Sequence, residues 1–252
     1  QNIQIYIQAE SYMRTNKIFE KIRAGERAYG CDVTFVSTTL VEMIGRSGFD
    51  FIRLDGEHGP FTPDTLEDMC RAAEMIGVTA IARVPDIEDS TILRCLDRGI
   101  MGIVGPHITT AERAEQLSKA CRYAPLGNRS FGYARGAYFG DFESGTQYME
   151  HTNDQVAVIA QLEDVSVLDN IDDILAVDGI DMYASGRHDI AQSMGLPGHP
   201  EHHRVLEVEQ QIAECVRAAG KKTFNDTCAM VRATDLFLDS AKAFIRQHSS
   251  SQ

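Results

Sequence analysis

An apolar run that ends in two acids and an imidazole is the first feature of this chain that could do chemistry. It is Phe49 to Pro60, F-D-F-I-R-L-D-G-E-H-G-P, with Asp55, Glu57 and His58 at its end and Gly56 and Gly59 relaxing the backbone between them. Later apolar runs end in the same way. The third offers Arg83 in A-R-V-P, the fourth His107 in G-P-H, the fifth Gln161 and Glu163 in Q-L-E-D, and the sixth Asp189 in S-G-R-H-D-I. Carboxylates, a guanidinium, an imidazole and an amide around one cavity suit a hard divalent cation and an anionic, oxygen-rich substrate. Each residue also has an ordinary structural role open to it. Glu163 and Asp189 could cap helices, Arg83 could sit in an ion pair, and His58, His107 and His188 could bond loop carbonyls. His199, His202 and His203 look like a metal cluster, but they stand in the turn L-P-G-H-P-E-H-H, where solvated histidines are ordinary.

Such strand ends converge only if the strands are parallel. Short apolar runs at Tyr29–Val36, Phe49–Leu54, Thr79–Val84, Gly102–Gly105, Val156–Leu162, Ile180–Ala184, Lys222–Phe224 and Ala229–Arg232 alternate with amphipathic stretches such as Glu88–Arg98 and Ala111–Arg122. Thr62-Pro63 opens a further helix with a capping residue followed by Pro. Strand–helix alternation means a parallel sheet. Eight candidate strands in 252 residues suggest an α/β fold of the (β/α)8 TIM-barrel kind, whose active sites lie at the carboxyl ends of the strands. No Pro-, Gly- or Ser-rich linker divides the chain, so residues 1–252 are expected to form one barrel domain with a short N-terminal helical extension at about 10–26. Arg129–Asp154 is a long aromatic and Gly-rich excursion, expected as a lid or a subunit contact. Only a few residues separate the last two candidate strands, too few for an ordinary crossover.

The net charge of −13 argues against nucleic acid or an anionic membrane as partner. No apolar run approaches the ~18 residues of a membrane helix, and no signal-peptide pattern is present. Six cysteines without a C-x-x-C pair read as small core residues in a reducing, cytoplasmic compartment. The two glycosylation sequons, Asn128-Arg129-Ser130 and Asn225-Asp226-Thr227, are treated as chance matches.

The motifs carry a resemblance. G-F-D-F-I-R-L-D-G-E-H-G-P, R-V-P followed by L-D-R-G, P-H-I-T-T-A-E, R-Y-A-P-L-G-N-R-S-F-G, Q-L-E-D, A-V-D-G-I-D and G-R-H-D-I-A-Q-S-M-G, in that order, resemble the HpcH/HpaI-type class II pyruvate aldolases. The resemblance covers about Asn16 to Ala219 and implies a barrel that assembles as a homohexamer, a trimer of dimers with exchanged C-terminal helices. It implies a divalent metal, Mg2+ or Mn2+ ahead of Co2+ or Zn2+, held by Glu163 and Asp189. It assigns Arg83 to substrate oxygens, His58 to proton transfer, Asp55 and Asp97 to supporting acidic positions, and Gln161 to orienting water or substrate. Backbone amides around Gly186 to Asp189, with Arg187 and His188 between them, would hold the pyruvyl carboxylate. The chain departs from the family pattern at Arg187-His188, where a small residue and Pro are usual. It departs again at His107, where Met is usual, and in having no Trp. The two cationic side chains are therefore expected to set substrate choice.

The expected activity is cleavage of a 4-hydroxy-2-oxo acid to pyruvate, or a related 2-oxo acid, and an aldehyde. Two alternatives are an oxaloacetate decarboxylase or acyl-CoA lyase on the same enolate, and a catalytically silent barrel that binds a 2-oxo acid. The acidic composition offers no basic groove for CoA, and a pure binding module has no need of Arg83, His58, Glu163 and Asp189 together.

Overall fold

A computed structural model describes residues 13–249. The chain runs α1 (Lys17–Arg23), β1 (Ala28–Val33), α2 (Thr38–Arg46), β2 (Phe51–Asp55), α3 (Pro63–Met75), β3 (Thr79–Arg83), α4 (Asp89–Arg98), β4 (Gly102–Gly105) and α5 (Ala111–Cys121). After a 3-10 segment (Arg135–Gly140) come α6 (Gly145–Gln155), β5 (Ala157–Leu162), a second 3-10 turn (Val165–Asp169), α7 (Ile171–Leu175), β6 (Met182–Ser185) and α8 (Arg187–Ser193). The chain ends with α9 (His203–Ala218), α10 (Phe224–Thr227), β7 (Cys228–Arg232) and α11 (Ala233–Ser249). The helix starts follow from local chemistry. Thr62 and Thr65 form a reciprocal capping box ahead of Pro63, and Ser37 and Thr110 cap α2 and α5 by accepting backbone N–H bonds.

The strands make one curled, all-parallel sheet in the order β6-β5-β4-β3-β2-β1-β7. Side chains alternate across it. Ile52, Leu54, Ala80, Ala82, Val158 and Ala160 face outward and pack with the helices. Phe51, Ile81, Val104, Ala157, Ile159 and Met182 face inward, where Ile18 of α1 joins them. Gly30 is required opposite Phe51, because a Cβ there would lie 2.1 Å from the ring. Two residues further along β1, β2 and β3 the inner face turns ionisable, at Asp32, Arg53 and Arg83. Register then pairs those groups: Asp32 stands beside Arg53, and Asp55 beside Arg83.

The expected closed, eight-stranded barrel is not what forms. Among the described residues there are seven strands, and the β6 edge is bridged not to β7 but to the segment ahead of α10, at Tyr183 and Thr223, with the Tyr183 N–H donating to the Lys222 carbonyl at 2.9 Å. The seventh candidate strand, Lys222–Phe224, is reduced to that bridge. Only the four-residue α10 separates it from β7, far short of the dozen or so residues a parallel crossover needs. The long excursion is not a lid over the carboxyl ends. Arg135 donates to the Arg98 carbonyl at 3.0 Å and Gly136 accepts from Arg14 at 2.8 Å, so the excursion packs on the C-terminal end of α4, ahead of β4. The helical extension forms as α1, and residues 10–12 of its expected span lie outside the described residues.

Candidate active site

At the carboxyl ends of β2 to β6 the inner-face alternation delivers Asp55, Arg83, Gln161 and, one step beyond its strand, Glu163. Asp55 is 2 % exposed and Glu163 1 %. Arg83 donates from Nε to Asp55 Oδ1 at 2.9 Å and from Nη2 to Asp55 Oδ2 at 2.7 Å. Its third nitrogen, Nη1, is 3.2 Å from Glu57 Oε2. Glu57 Oε1 lies 3.4 Å from His107 Nε2, and His107 Nδ1 lies 3.2 Å from Glu163 Oε1. Gln161 Nε2 donates to Glu163 Oε2. One chain of polar contacts therefore crosses the mouth from Asp55 to Gln161.

His107 reaches this position through a left-handed backbone, φ 52°, which is strained for a residue with a side chain. Three bonds hold it. Its N–H donates to Glu163 Oε1 at 2.8 Å, the Ile108 N–H donates to the Gln161 carbonyl at 3.0 Å, and Arg113 Nε donates to the His107 carbonyl at 2.9 Å.

Burial alone would push the Asp55 carboxyl up, but the Arg83 guanidinium holds it below the usual carboxylate range. Glu163 goes the other way. Burial pushes its carboxyl up, the His107 N–H and imidazole oppose this, and the nearby charges of Asp189 and Glu57 add to the rise. Gly186 lies against this acid. A Cβ at Gly186 would stand 2.5 Å from Glu163 Oε2 and 2.9 Å from Gln161 Nε2. Asp189 follows in the first turn of α8. Gly186→Ala is accordingly expected to push Glu163 aside and lower turnover by about a hundredfold, the scale of an ~1 Å misplacement, with Tm nearly unchanged. Parallel turnover and melting measurements check this, and wild-type turnover would refute the close packing.

Other expected site residues stand at the rim of the mouth or turn their side chains elsewhere in this chain. Asp97 lies near the C-terminal end of α4, five residues before β4, where it pairs with Arg129 at 3.2 Å. A helix that follows a strand runs back toward the sheet's other end, so Asp97 cannot join Asp55 within this chain. Arg187 turns to α9, with Nε 2.6 Å from Glu209 and Nη1 3.2 Å from Glu201, so its charge is already matched. His188 is exposed. His58 stands at the rim with its side chain 66 % exposed, its Nε2 3.8 Å from Glu57 Oε2 and its N–H donating to Asp55 Oδ1 at 3.3 Å. His202 caps α9, its Nδ1 accepting from the Arg204 N–H at 3.3 Å. Glu57 and His107 stand among the strand-end groups of the sequence but receive no individual role from the resemblance. Glu57 could have had one, since it continues the alternation Arg53, Asp55, Glu57.

Cys70, Cys95 and Cys121 are buried thiols pushed up to about 12 by desolvation, which makes them packing groups rather than nucleophiles. No helix among the described residues is long and apolar enough to cross a membrane.

Parallel strands whose carboxyl ends carry acids and an arginine place those groups where α/β enzymes of this kind build an active site. Comparison makes the class definite. Residues 30–251 match the model of the HpcH/HpaI aldolase/citrate lyase family. A 2-keto-3-deoxy-L-rhamnonate aldolase of Shigella boydii is 35% identical over 212 residues, 82% of this chain and 77% of that protein. A hydroxypyruvate/pyruvate aldolase of Roseobacter denitrificans is 34% identical over 236 residues, 91% and 89% of the two chains. The crystal structure of an HpcH/HpaI aldolase from Desulfitobacterium hafniense superposes with a TM-score of 0.84 at 22% identity, over 93% of this chain and 97% of that one, which establishes the shared fold. The chain belongs to the HpcH/HpaI aldolase/citrate lyase family and is a carbon–carbon lyase of the aldolase type.

Proposed function

We propose that this enzyme is a divalent-metal-dependent aldolase that cleaves a 4-hydroxy-2-oxo acid into pyruvate, or a related 2-oxo acid, and an aldehyde. The observation that carries the reading is the run of contacts from Asp55 through Arg83, Glu57 and His107 to Glu163 and Gln161 at one sheet mouth.

The residues fit a hard cation. Glu163 is buried and its negative charge is disfavoured by Asp189 and Glu57. Gln161 Oε1 is buried without a hydrogen-bond partner in the structure. Two carboxylates and an orphaned amide oxygen form an all-oxygen donor set, although no group of three His, Cys, Asp or Glu side chains among the described residues stands ready as a complete shell. Glu163 and Asp189 would hold the ion, Mg2+ or Mn2+ ahead of Co2+ or Zn2+. When bound, it would supply positive charge beside the 2-oxo oxygen.

The chain's own groups do the rest. Arg83, with Glu57 and Asp55 fixing its orientation, adds a cationic edge where negative charge develops. Gly186, having no side chain, leaves room for the pyruvyl carboxylate at the start of α8, and the Arg187 and His188 backbone amides lie at the same turn. His58 at the rim takes the proton from the 4-hydroxyl group during cleavage, a role that suits imidazole near neutral pH. His107 keeps Glu57 and Glu163 apart and oriented.

We further propose a cytoplasmic, one-domain protein that assembles with copies of itself. The family pattern of exchanged C-terminal helices is supported by α11, which exposes Phe237, Phe244 and Ile245 at 73%, 63% and 60%, more apolar surface than a lone helix leaves in water.

The decisive experiment measures pyruvate release from a panel of 4-hydroxy-2-oxo acids with and without chelator. Release from at least one hydroxy acid, abolished by chelator and restored by Mg2+ or Mn2+, is expected. Carbon dioxide from oxaloacetate without any aldol cleavage would assign a decarboxylase instead, and inactivity on every substrate would assign a silent barrel.

A further inference from the structure

Behind the mouth, on the outer face of the sheet, lies a cavity of about 170 Å³ that the proposed reaction does not use. Its walls include Phe61, Leu66, Val84, Pro85 and Cys95, with Arg94 at its margin. Leu66, Val84 and Cys95 belong to the core between sheet and helices, whereas the Arg83 side chain turns the other way, to Asp55. The Gly56 N–H donates to the Arg83 carbonyl at 2.8 Å, so backbone separates the cavity from the mouth.

Arg94 is exposed and has no ion pair or hydrogen bond among the described residues. Its neighbours on the same helices differ: Arg98 is bound to Glu67 at 2.9 Å, and Arg71 is held by Glu67 and Asp68. An unmatched guanidinium beside an apolar hollow, in a chain of net charge −13, is a local reversal of sign. Its planar fork matches a carboxylate. The volume compares with that of an apolar cavity of ~150 Å³ that accepts benzene. With one cation and apolar walls, the complementary ligand has one negative charge and a body about the size of a single ring.

We propose that this cavity is a second binding site, separate from the mouth, for a compact apolar monocarboxylate whose carboxylate is met by Arg94. Gly56 and Phe61, which border the cavity, flank Glu57 and His58 in the chain, so an occupant would rest against the loop that carries both.

Calorimetric titration of the full chain with benzoate tests the site. One benzoate per chain is expected. Arg94→Gln should weaken binding by about tenfold to a hundredfold, the scale of a lost charge-assisted hydrogen bond. Benzyl alcohol, with the ring but no charge, should bind wild type and R94Q alike. Cys95→Met, which fills the hollow, should abolish binding of both. Should that variant fail to fold, R94Q decides alone, because Arg94 is exposed and supports no contact. Glu163→Gln, in the mouth, should leave benzoate affinity unchanged. The proposal is overturned by absence of benzoate binding at millimolar concentration, by equal affinity in R94Q, or by loss of affinity in E163Q, which would put benzoate in the mouth.

Discussion

Arg83→Lys is expected to lower the rate of deuterium exchange at the pyruvate methyl group by about a hundredfold, although the positive charge is kept. The fork of Arg83 is engaged by both oxygens of Asp55 and by Glu57. From sequence, that fork is expected to grip two substrate oxygens. In the structure it grips two acids, so on the proposed reading its contribution to substrate would come from a cation held rigidly in place. A lysine ammonium cannot satisfy Asp55 and Glu57 at these separations. Both carboxylates would relax, and the cation with them. A second readout follows from Asp55, whose folded carboxyl is held below its usual value against the opposing pull of burial. A depressed carboxylate stabilises the fold above its unfolded value, about 3.9, and that contribution is lost as pH falls through the folded value. Arg83→Lys removes most of the depression, so acid unfolding followed by circular dichroism should begin at higher pH than in wild type. Exchange at the wild-type rate, with an unchanged acid limb, would show that Arg83 neither meets substrate nor holds Asp55.

The part of the site that sequence reveals is the part governed by alternation along strands. Asp55, Arg83, Gln161 and Glu163 could be placed because an inward residue recurs every second position and parallel strands end together. The acid–base pairing of neighbours could not, since it depends on register, which sets Asp55 beside Arg83 and Asp32 beside Arg53. The place of Asp97 was hidden for a related reason. It stands in a helix, where motif order carries no information about which end of the sheet is near, and its partner Arg129 is 32 positions away. The direction of the Arg187 side chain was hidden too, because its partner Glu209 is supplied by the next helix. His107 could be read as a loop residue, but nothing in G-P-H announces a left-handed backbone that swings its ring between two acids. The short link before β7 was legible as an anomaly. It resolves through pairing: the chain keeps the last strand beside β1 and gives up the seventh.

Glu163→Gln combined with Asp189→Asn should abolish metal-dependent turnover and reduce bound divalent ion from one per chain to none. Both substitutions keep side-chain shape and an oxygen donor, so any loss reports charge. Their effect on stability separates a metal site from an ordinary buried acid. The Glu163 carboxyl is raised by burial, with the His107 contacts opposing and the charges of Asp189 and Glu57 contributing. An acid with a raised folded value stabilises the fold least when it is ionised: its penalty appears as pH climbs through the unfolded value and is complete above the folded one. At neutral pH without metal, the double variant should therefore melt no lower than the wild type. Added Mg2+ or Mn2+ should raise the wild-type Tm, because a ligand that binds only the folded state stabilises it by mass action, and should leave the variant's Tm where it was. Arg187→Ala, which removes only the half-exposed pairs with Glu209 and Glu201, should retain the metal-induced rise, since such pairs contribute ~0–1 kcal/mol. A double variant that keeps one bound ion per chain, or still responds to metal in its melting curve, would place the cation elsewhere. Glu163 and Asp189 would then be left as acids that burden the fold with no ion to offset their repulsion.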